Sequence, residues 1–195
     1  MAIHLPADPP TVDLPIDAVL WRVHPRDRDA LWCGRTGRYR FDAPAGEYGI
    51  CYFGSSLGVA VLETMVRGKR VPIIPRAELD ARNGSTLAPT EPLRVLQLEG
   101  EGLPSFGLSA HRVTGPDYAE CRDLALRAWR SDPGLAGIQY RSRWDNSLCW
   151  AVFDRAETRL RLLETRWLAD PSAVVPALRP YKHVAVIQAT WRAAG

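Results

Sequence analysis

Apolar residues along this chain come in short runs, and the spacing within each run predicts its element. Residues 16–23 (IDAVLWRV) read as a strand, apolar on both sides apart from Asp17 and Arg22. Residues 24–47 are polar and rich in Arg, Gly and Pro, the composition of loops with at most a short helical turn. The aromatic and branched content of 48–53 (YGICYF) predicts a second strand. A helix follows, capped by Ser55 or Ser56 and ended near Arg67 by Gly68. Pro72 and Pro75 bracket a short connection, and 93–98 (LRVLQL) reads as a strand. Over 116–130, Tyr118, Cys121, Leu124, Ala125 and Ala128 recur at helical spacing, a helix with one buried stripe. After the Asp132-Pro133-Gly134 turn come strand segments at 137–142, 149–153 and 160–167, then a helix from about Pro171 and a last strand at 183–188. This irregular alternation predicts a single α+β domain rather than a doubly wound sheet. Residues 1–16, rich in Pro and Asp, read as an extended N-terminal arm, and 17–195 as the domain.

Polar residues that interrupt these apolar patterns are the first candidates for chemistry. Arg22 sits between Trp21 and Val23 in an apolar strand, so its guanidinium must find an anion or escape to water at a sheet edge. Glu63 lies beside an apolar helical stripe that includes Val59, Leu62 and Val66, and either serves a site or pairs with Arg67 one turn on. Tyr52 shares a strand face with Ile50 and Tyr48, and Ser142 one with Tyr140 and Ile138; either fits a site or an ordinary core. Residues 37–42 (GRYRFD) bring Arg38 and Arg40 into a loop that either closes over a ligand or is simply solvated.

Composition narrows the classes. With 195 residues, 46% of them hydrophobic, the chain is long enough to bury a core. No apolar run approaches the ~18 residues of a membrane span, and the N-terminus lacks the pattern of a secretory signal, so a cytoplasmic protein without membrane association is expected. The net charge is +3, but acidic residues are mixed throughout and no dense basic run occurs, which does not suggest direct nucleic-acid binding. Cys33, Cys51, Cys121 and Cys149 form no C-x-x-C pair and the four histidines are scattered, so no metal is expected and free thiols are the default. Seven tryptophans raise the possibility of an interface, with Trp32 and Trp191 as candidates and a homodimer as one outcome.

Four segments in order resemble the RES domain: W-R-V at 21–23, R-F-D-x-P-x-G-x-Y-G-I-C-Y at 40–52, V-L-E-T at 61–64 and G-I-Q-Y-R-S-R at 137–143. The resemblance is strongest over 20–153, most of the chain. That family is named for its Arg, Glu and Ser residues. Its first arginine falls on Arg22. Its second falls on Arg40, in Arg40-Phe41-Asp42 where many members have Arg-Trp-Asn, with Arg38 competing for the place. The tyrosine falls on Tyr52, the glutamate on Glu63 and the serine on Ser142, with Ser147 ranked below it.

The resemblance implies a fold related to ADP-ribosyltransferases and diphtheria-toxin-type enzymes, a split mixed sheet with NAD⁺ in a central cleft. It also implies a toxin that degrades NAD⁺ by hydrolysis or phosphorolysis at the nicotinamide–ribose bond, with an antitoxin bearing a helix-turn-helix domain as partner. The N-terminal arm and the tail after Trp167 depart from the family pattern and leave that partner open. On this reading Glu63, Arg22 and Ser142 carry catalysis, while Arg22, Arg40, Tyr52 and Ser142 hold NAD⁺. The chemistry is consistent: arginines suit a pyrophosphate, an aromatic ring suits the flat nicotinamide cation, and a carboxylate suits an oxocarbenium-like ribose. Ser142 is expected to hold the ribose by hydrogen bonding rather than act as a nucleophile. Transfer of ADP-ribose to a macromolecule, or NAD⁺ or protein binding without catalysis, are the alternatives.

Overall fold

The structure is a computed structural model that describes residues 5–67 and 69–188. Gly68 and Trp191, read above as a helix stop and an interface candidate, lie outside the described residues. Ten strands are described. Eight, β1 (Thr11–Leu14), β2 (Leu20–Pro25), β3 (Ile50–Gly54), β5 (Arg82–Pro89), β6 (Leu93–Gln97), β7 (Gly137–Arg141), β8 (Leu148–Phe153) and β9 (Leu160–Trp167), form one mixed sheet in the order β1-β6-β7-β8-β3-β2-β5-β9. Two more, β4 (Ile73–Pro75) and β10 (Ala185–Ile187), pair in parallel beside it. The described helices are α1 (Leu57–Val61), α2 (Arg76–Asp80), α3 (Ala110–Thr114), α4 (Ala119–Ser131) and α5 (Pro171–Leu178), with shorter tight turns between. This is the α+β arrangement expected.

The sheet is nearly split in the middle. β2 pairs with β5 over six positions, from Leu20↔Leu87 to Pro25↔Arg82, but meets β3 only at Trp21↔Gly54. From that point Arg22–Pro25 and Phe53–Ile50 diverge, and the loop around Gly34 pairs with Ile50 where β2 would have been. Apolar clusters follow the division. Leu124, Ala125 and Ala128 of α4 pack on Ile50, Ile138, Tyr140 and Phe153 of one half. Leu57, Val61 and Leu62 pack with Val23, Leu168 and Val174 on the other. On the opposite face, Leu14, Val95, Phe53, Leu20, Leu87 and Leu160 share one cluster, so strands from both edges meet and the sheet curls.

Most elements lie where the apolar pattern places them. Cys121, Leu124, Ala125 and Ala128 are the buried stripe of α4, and Ser56 caps α1 by accepting from the Val59 amide at 3.2 Å. Three corrections follow. The first strand begins at Leu20 rather than residue 16, and Thr11–Leu14 within the arm is itself an edge strand antiparallel to β6. β5 (RNGSTLAP) carries no strand signal, because Asn, Gly, Ser and Pro all disfavour one; its pairing with β2 and β9 imposes the conformation. The helix after Ser56 changes at Leu62 into a π-helical turn, Leu62–Val66.

A buried polar chain ties β2, β5 and β9 together. The His24 Nδ1–H faces the Pro25 and Arg28 carbonyl oxygens at 2.9 and 3.1 Å, so Nε2 accepts from Ser85 Oγ at 2.8 Å, which lies 2.8 Å from Thr165 Oγ1. Burial, with Arg22 nearby, lowers the His24 pKa below its ordinary 6.5 and outweighs the flanking carbonyls. The neutral ring therefore contributes stability above pH 6.5 that is lost as pH falls through the lower folded value. Thermal unfolding at pH 7.5 and 5.5 is expected to show a drop in Tm on acidification that is smaller in His24→Gln. An equal drop in both proteins contradicts this role.

Candidate active site

The divergence of β2 from β3 opens a cavity of about 420 Å³. Arg22, Val23, His24 and Pro25 line it from β2, Ile50 and Tyr52 from β3, Tyr140 from β7, and Glu63, Thr64 and Arg67 from the π-helical turn and its cap. The loop after β2 supplies Arg28, Asp29, Trp32, Gly34, Thr36, Tyr39 and Asp42, and Arg82 completes the wall. A cavity of this size, with several convergent polar groups, is the form small-molecule sites take.

Glu63 reaches the cavity because two local features move it off the packed face of its helix. Gly54 lets α1 sit directly on β3: a Cβ there would lie 2.9 Å from the Ala60 amide nitrogen. The π-helical turn then adds a residue to the helical circuit, burying Leu62, Met65 and Val66 while leaving Glu63 half-buried. Its Oε1 accepts from Ser142 Oγ at 2.7 Å, whereas Arg67 lies over the rings of Tyr39 (4.4 Å) and Tyr118 (5.4 Å). The hydrogen bond of Glu63 is thus to Ser142, and Arg67 turns to the two tyrosine rings instead.

Ser142 is 2% exposed at the end of β7. It heads a tight turn to β8 in which its amide donates to the Ser147 carbonyl at 2.8 Å and Asn146 adopts φ 61°, a conformation asparagine tolerates. Ser147 itself is bound to Asp145, through its amide and hydroxyl at 3.0 and 2.8 Å. Despite burial, hydrogen bonds from Tyr181 and Ser147 hold the Asp145 carboxyl below its ordinary range. Behind the turn, Glu99 accepts from Arg141 Nε at 2.8 Å and Arg141 donates to the Asn146 carbonyl, fixing the position from which Ser142 meets Glu63.

Both arginines are buried and differ in how they are satisfied. Arg22, 9% exposed, donates to the Ala30 and Trp32 carbonyl oxygens, the latter at 2.6 Å, and touches Cys51 Sγ at 2.8 Å. It thus bridges the split by holding the loop that fills it. Arg40 is 4% exposed, and its Nε and Nη1 have no hydrogen-bond partner. Its guanidinium lies 5.2 Å from the Tyr140 ring and 5.7 Å from that of Tyr118. Arg38 is exposed, and its backbone amide donates to Asp42 Oδ2 and Thr36 Oγ1.

Tyr52 fixes the loop that carries Arg40. Its hydroxyl donates to Asp42 Oδ1 at 2.9 Å and accepts from the Phe41 amide at 3.0 Å. Burial and the nearby Asp42 push the Tyr52 phenol well above its usual pKa, and burial does the same for Tyr140, so both stay neutral.

Arg22, Tyr52 and Glu63 therefore line one cavity and Ser142 is bonded to Glu63 there; Arg40 does not line it but lies over the ring of Tyr140, which does. Trp32, read above as an interface candidate, is at the same cavity with the Arg28 guanidinium 4.2 Å from its ring. The sequence reading passed over His24, Tyr39, Arg82 and Tyr118 as site residues: His24 and Tyr39 fall in the segment read as polar loop, Tyr118 on the buried helical stripe, and Arg82 in a stretch given no element. Among the described residues, no group of three or more His, Cys, Asp or Glu is placed to hold a metal ion, and no helix is long and apolar enough to cross a membrane.

Comparison with known proteins agrees with this fold. A chain from the crystal structure of the M. tuberculosis MbcT-MbcA toxin-antitoxin complex superposes with a TM-score of 0.66 at 20% identity, covering 80% of this chain and 85% of that one. At that identity the likeness establishes a shared fold. No curated protein matches the chain. The RES domain matches residues 19–193, nearly the whole sequence, and the chain belongs to the RES domain family.

Proposed function

We propose that this protein is a toxin that cleaves NAD⁺ at the nicotinamide–ribose bond, by hydrolysis or phosphorolysis. The observation that carries the reading is the Glu63–Ser142 hydrogen bond beside the cavity; next to Tyr140 of its wall lies the buried Arg40, whose Nε and Nη1 have no hydrogen-bond partner. A buried cation without a counter-charge is costly, and an anionic ligand such as a pyrophosphate would relieve the cost. Arg40 is placed to meet that anion with a small shift of the tyrosines beside it. Arg22 has spent two nitrogens on carbonyls, so its part is to hold the cavity wall and to add positive potential to it.

The reaction needs little from the protein beyond positioning and charge. As the bond from ribose C1′ to the nicotinamide nitrogen breaks, its electron pair goes to the nitrogen and neutralises the pyridinium. Positive charge builds on the ribose, where the Glu63 carboxylate favours it. Ser142 keeps that carboxylate in place by donating to Oε1 and accepting from the Trp144 amide. Tyr52 offers a neutral aromatic wall for the nicotinamide. Water or phosphate then bonds to C1′, and the nucleophile's proton leaves to solvent. NAD⁺ is a substrate here, and no metal enters the scheme.

The shared fold with a chain of a toxin–antitoxin complex supports a partner protein that neutralises the enzyme, an antitoxin with a helix-turn-helix domain. The test is NAD⁺ consumption by the purified chain with and without phosphate, with products separated. Free nicotinamide with ADP-ribose names hydrolysis; its 1″-phosphate names phosphorolysis. Glu63→Gln is expected to lower kcat by about 100-fold or more. Ser142→Ala is expected to lower it about tenfold, equivalent to ~1.4 kcal/mol, by freeing the carboxylate. Unchanged kcat in Glu63→Gln, or no NAD⁺ loss in either buffer, contradicts the proposal.

A further inference from the structure

Two cysteines far apart in sequence stand opposite one another at the split in the sheet. Gly34 and Ile50 exchange both backbone hydrogen bonds, at 3.0 and 2.9 Å, as an antiparallel pair. One step outward, Cys33 therefore faces Cys51 at a non-hydrogen-bonded position, where paired Cα atoms approach to ~4.5 Å. That spacing lies within the range a disulfide spans. The side chains turn toward each other, with Sγ atoms 2.6 Å apart, and both thiols are free. Cys33 is partly exposed and Cys51 buried. The Arg22 guanidinium lies 2.8 Å from Cys51 Sγ. Although burial raises its pKa, contact with Cys33 and Arg22 leaves the Cys51 thiol below its ordinary value.

We propose that Cys33 and Cys51 form a reversible disulfide under peroxide, stapling the loop that carries Arg40 to the wall held by Arg22. The oxidant enters past the partly exposed Cys33. The hydrogen bond to Cys51 and burial push the Cys33 thiol well up, so Cys51, whose thiolate Arg22 favours and whose proton has gone to solvent, is the nucleophile. It attacks one peroxide oxygen, the O–O bond breaks, and a sulfenic acid and hydroxide form. Cys33 gives its proton to that hydroxide, making the first water, and its sulfur displaces the sulfenic hydroxyl, which leaves with a solvent proton as the second water and completes the S–S bond. Overall the two thiols lose two electrons and two protons, and hydrogen peroxide becomes two waters. The bond closes the segment between residues 33 and 51, in which Arg40, Asp42 and Tyr48 lie and which is held otherwise by the Gly34–Ile50 pair and by side-chain contacts such as Tyr52 to Asp42 and Tyr48 to the Phe41 carbonyl. Cross-linking the ends of such a segment restricts the unfolded chain and raises stability. The inference does not rest on the NAD⁺ reading.

The test uses the full chain, reduced with dithiothreitol and then treated with hydrogen peroxide. Alkylation and peptide mapping are expected to show two of the four cysteines protected, joined as a Cys33–Cys51 peptide. Tm is expected to rise by about 5 °C and return on reduction. Cys33→Ser is expected to show neither the cross-linked peptide nor the reversible rise. A wild-type map without the Cys33–Cys51 peptide overturns the proposal whether or not the variant folds, as does a cross-link with no rise in Tm. NAD⁺ cleavage is followed in the same samples. A cross-link in protein that never cleaves NAD⁺ supports the disulfide and counts only against the enzymatic reading, whereas cleavage without the cross-link counts only against the disulfide.

Discussion

The site depends on one constraint: β2 leaves β3 after a single paired position, and something must satisfy the strand edges that this exposes. Unpaired backbone groups in a buried sheet are costly, so the gap cannot simply stand open. The loop after β2 fills it. Gly34 takes over the pairing with Ile50, and the Arg22 guanidinium, reaching from β2, donates to the Ala30 and Trp32 carbonyls. A side chain replaces part of a hydrogen-bond ladder. The cavity is the space left between the filled gap and the helix that packs across it, and Arg22, Tyr52 and Glu63 line it.

This arrangement separates two roles that look alike in sequence. Arg22 and Arg40 are both buried arginines, yet the first is spent on structure and the second is not. Carbonyl oxygens and a sulfur occupy the nitrogens of Arg22, whereas Nε and Nη1 of Arg40 face only aromatic rings. Ring faces offset part of a guanidinium's desolvation but provide no anion. The loop that holds Arg40 there is in turn fixed by Asp42, which accepts from Tyr52 and Thr36. An unpaired charge held in place by a network that does not satisfy it supports the proposed role of Arg40 in binding an anion.

Much of this was legible in the sequence. The stripe of α4 follows from local periodicity, because that helix buries one face. A serine cap at 55 or 56 and the strands at 137–142, 149–153 and 160–167 follow from residue type, the first two strands being buried on both faces. β5 was not legible, since its residues are turn formers held in a strand by pairing on both sides. At the site, Arg22 and Glu63 announced themselves as misfits, while Tyr52 and Ser142 stood out only through the family resemblance. Which residue each would touch was hidden. Glu63 has Arg67 at good helical spacing and bonds Ser142, 79 positions away, instead. The opposition of Cys33 and Cys51 was equally hidden, because it is set by a single bridge between a loop and a strand.

On the proposed reading, the charge of Arg40 serves a ligand at the expense of the fold. The most direct measurement is the Tm of Arg40→Met beside the parent chain, each with and without saturating NAD⁺. The account predicts that the unliganded variant melts at the same temperature as the parent or higher, since an apolar side chain replaces an uncompensated buried charge, and that the upward shift given by NAD⁺ is lost. A variant that melts several degrees lower without ligand, yet keeps the full NAD⁺ shift, would make Arg40 a structural residue and contradict the claim.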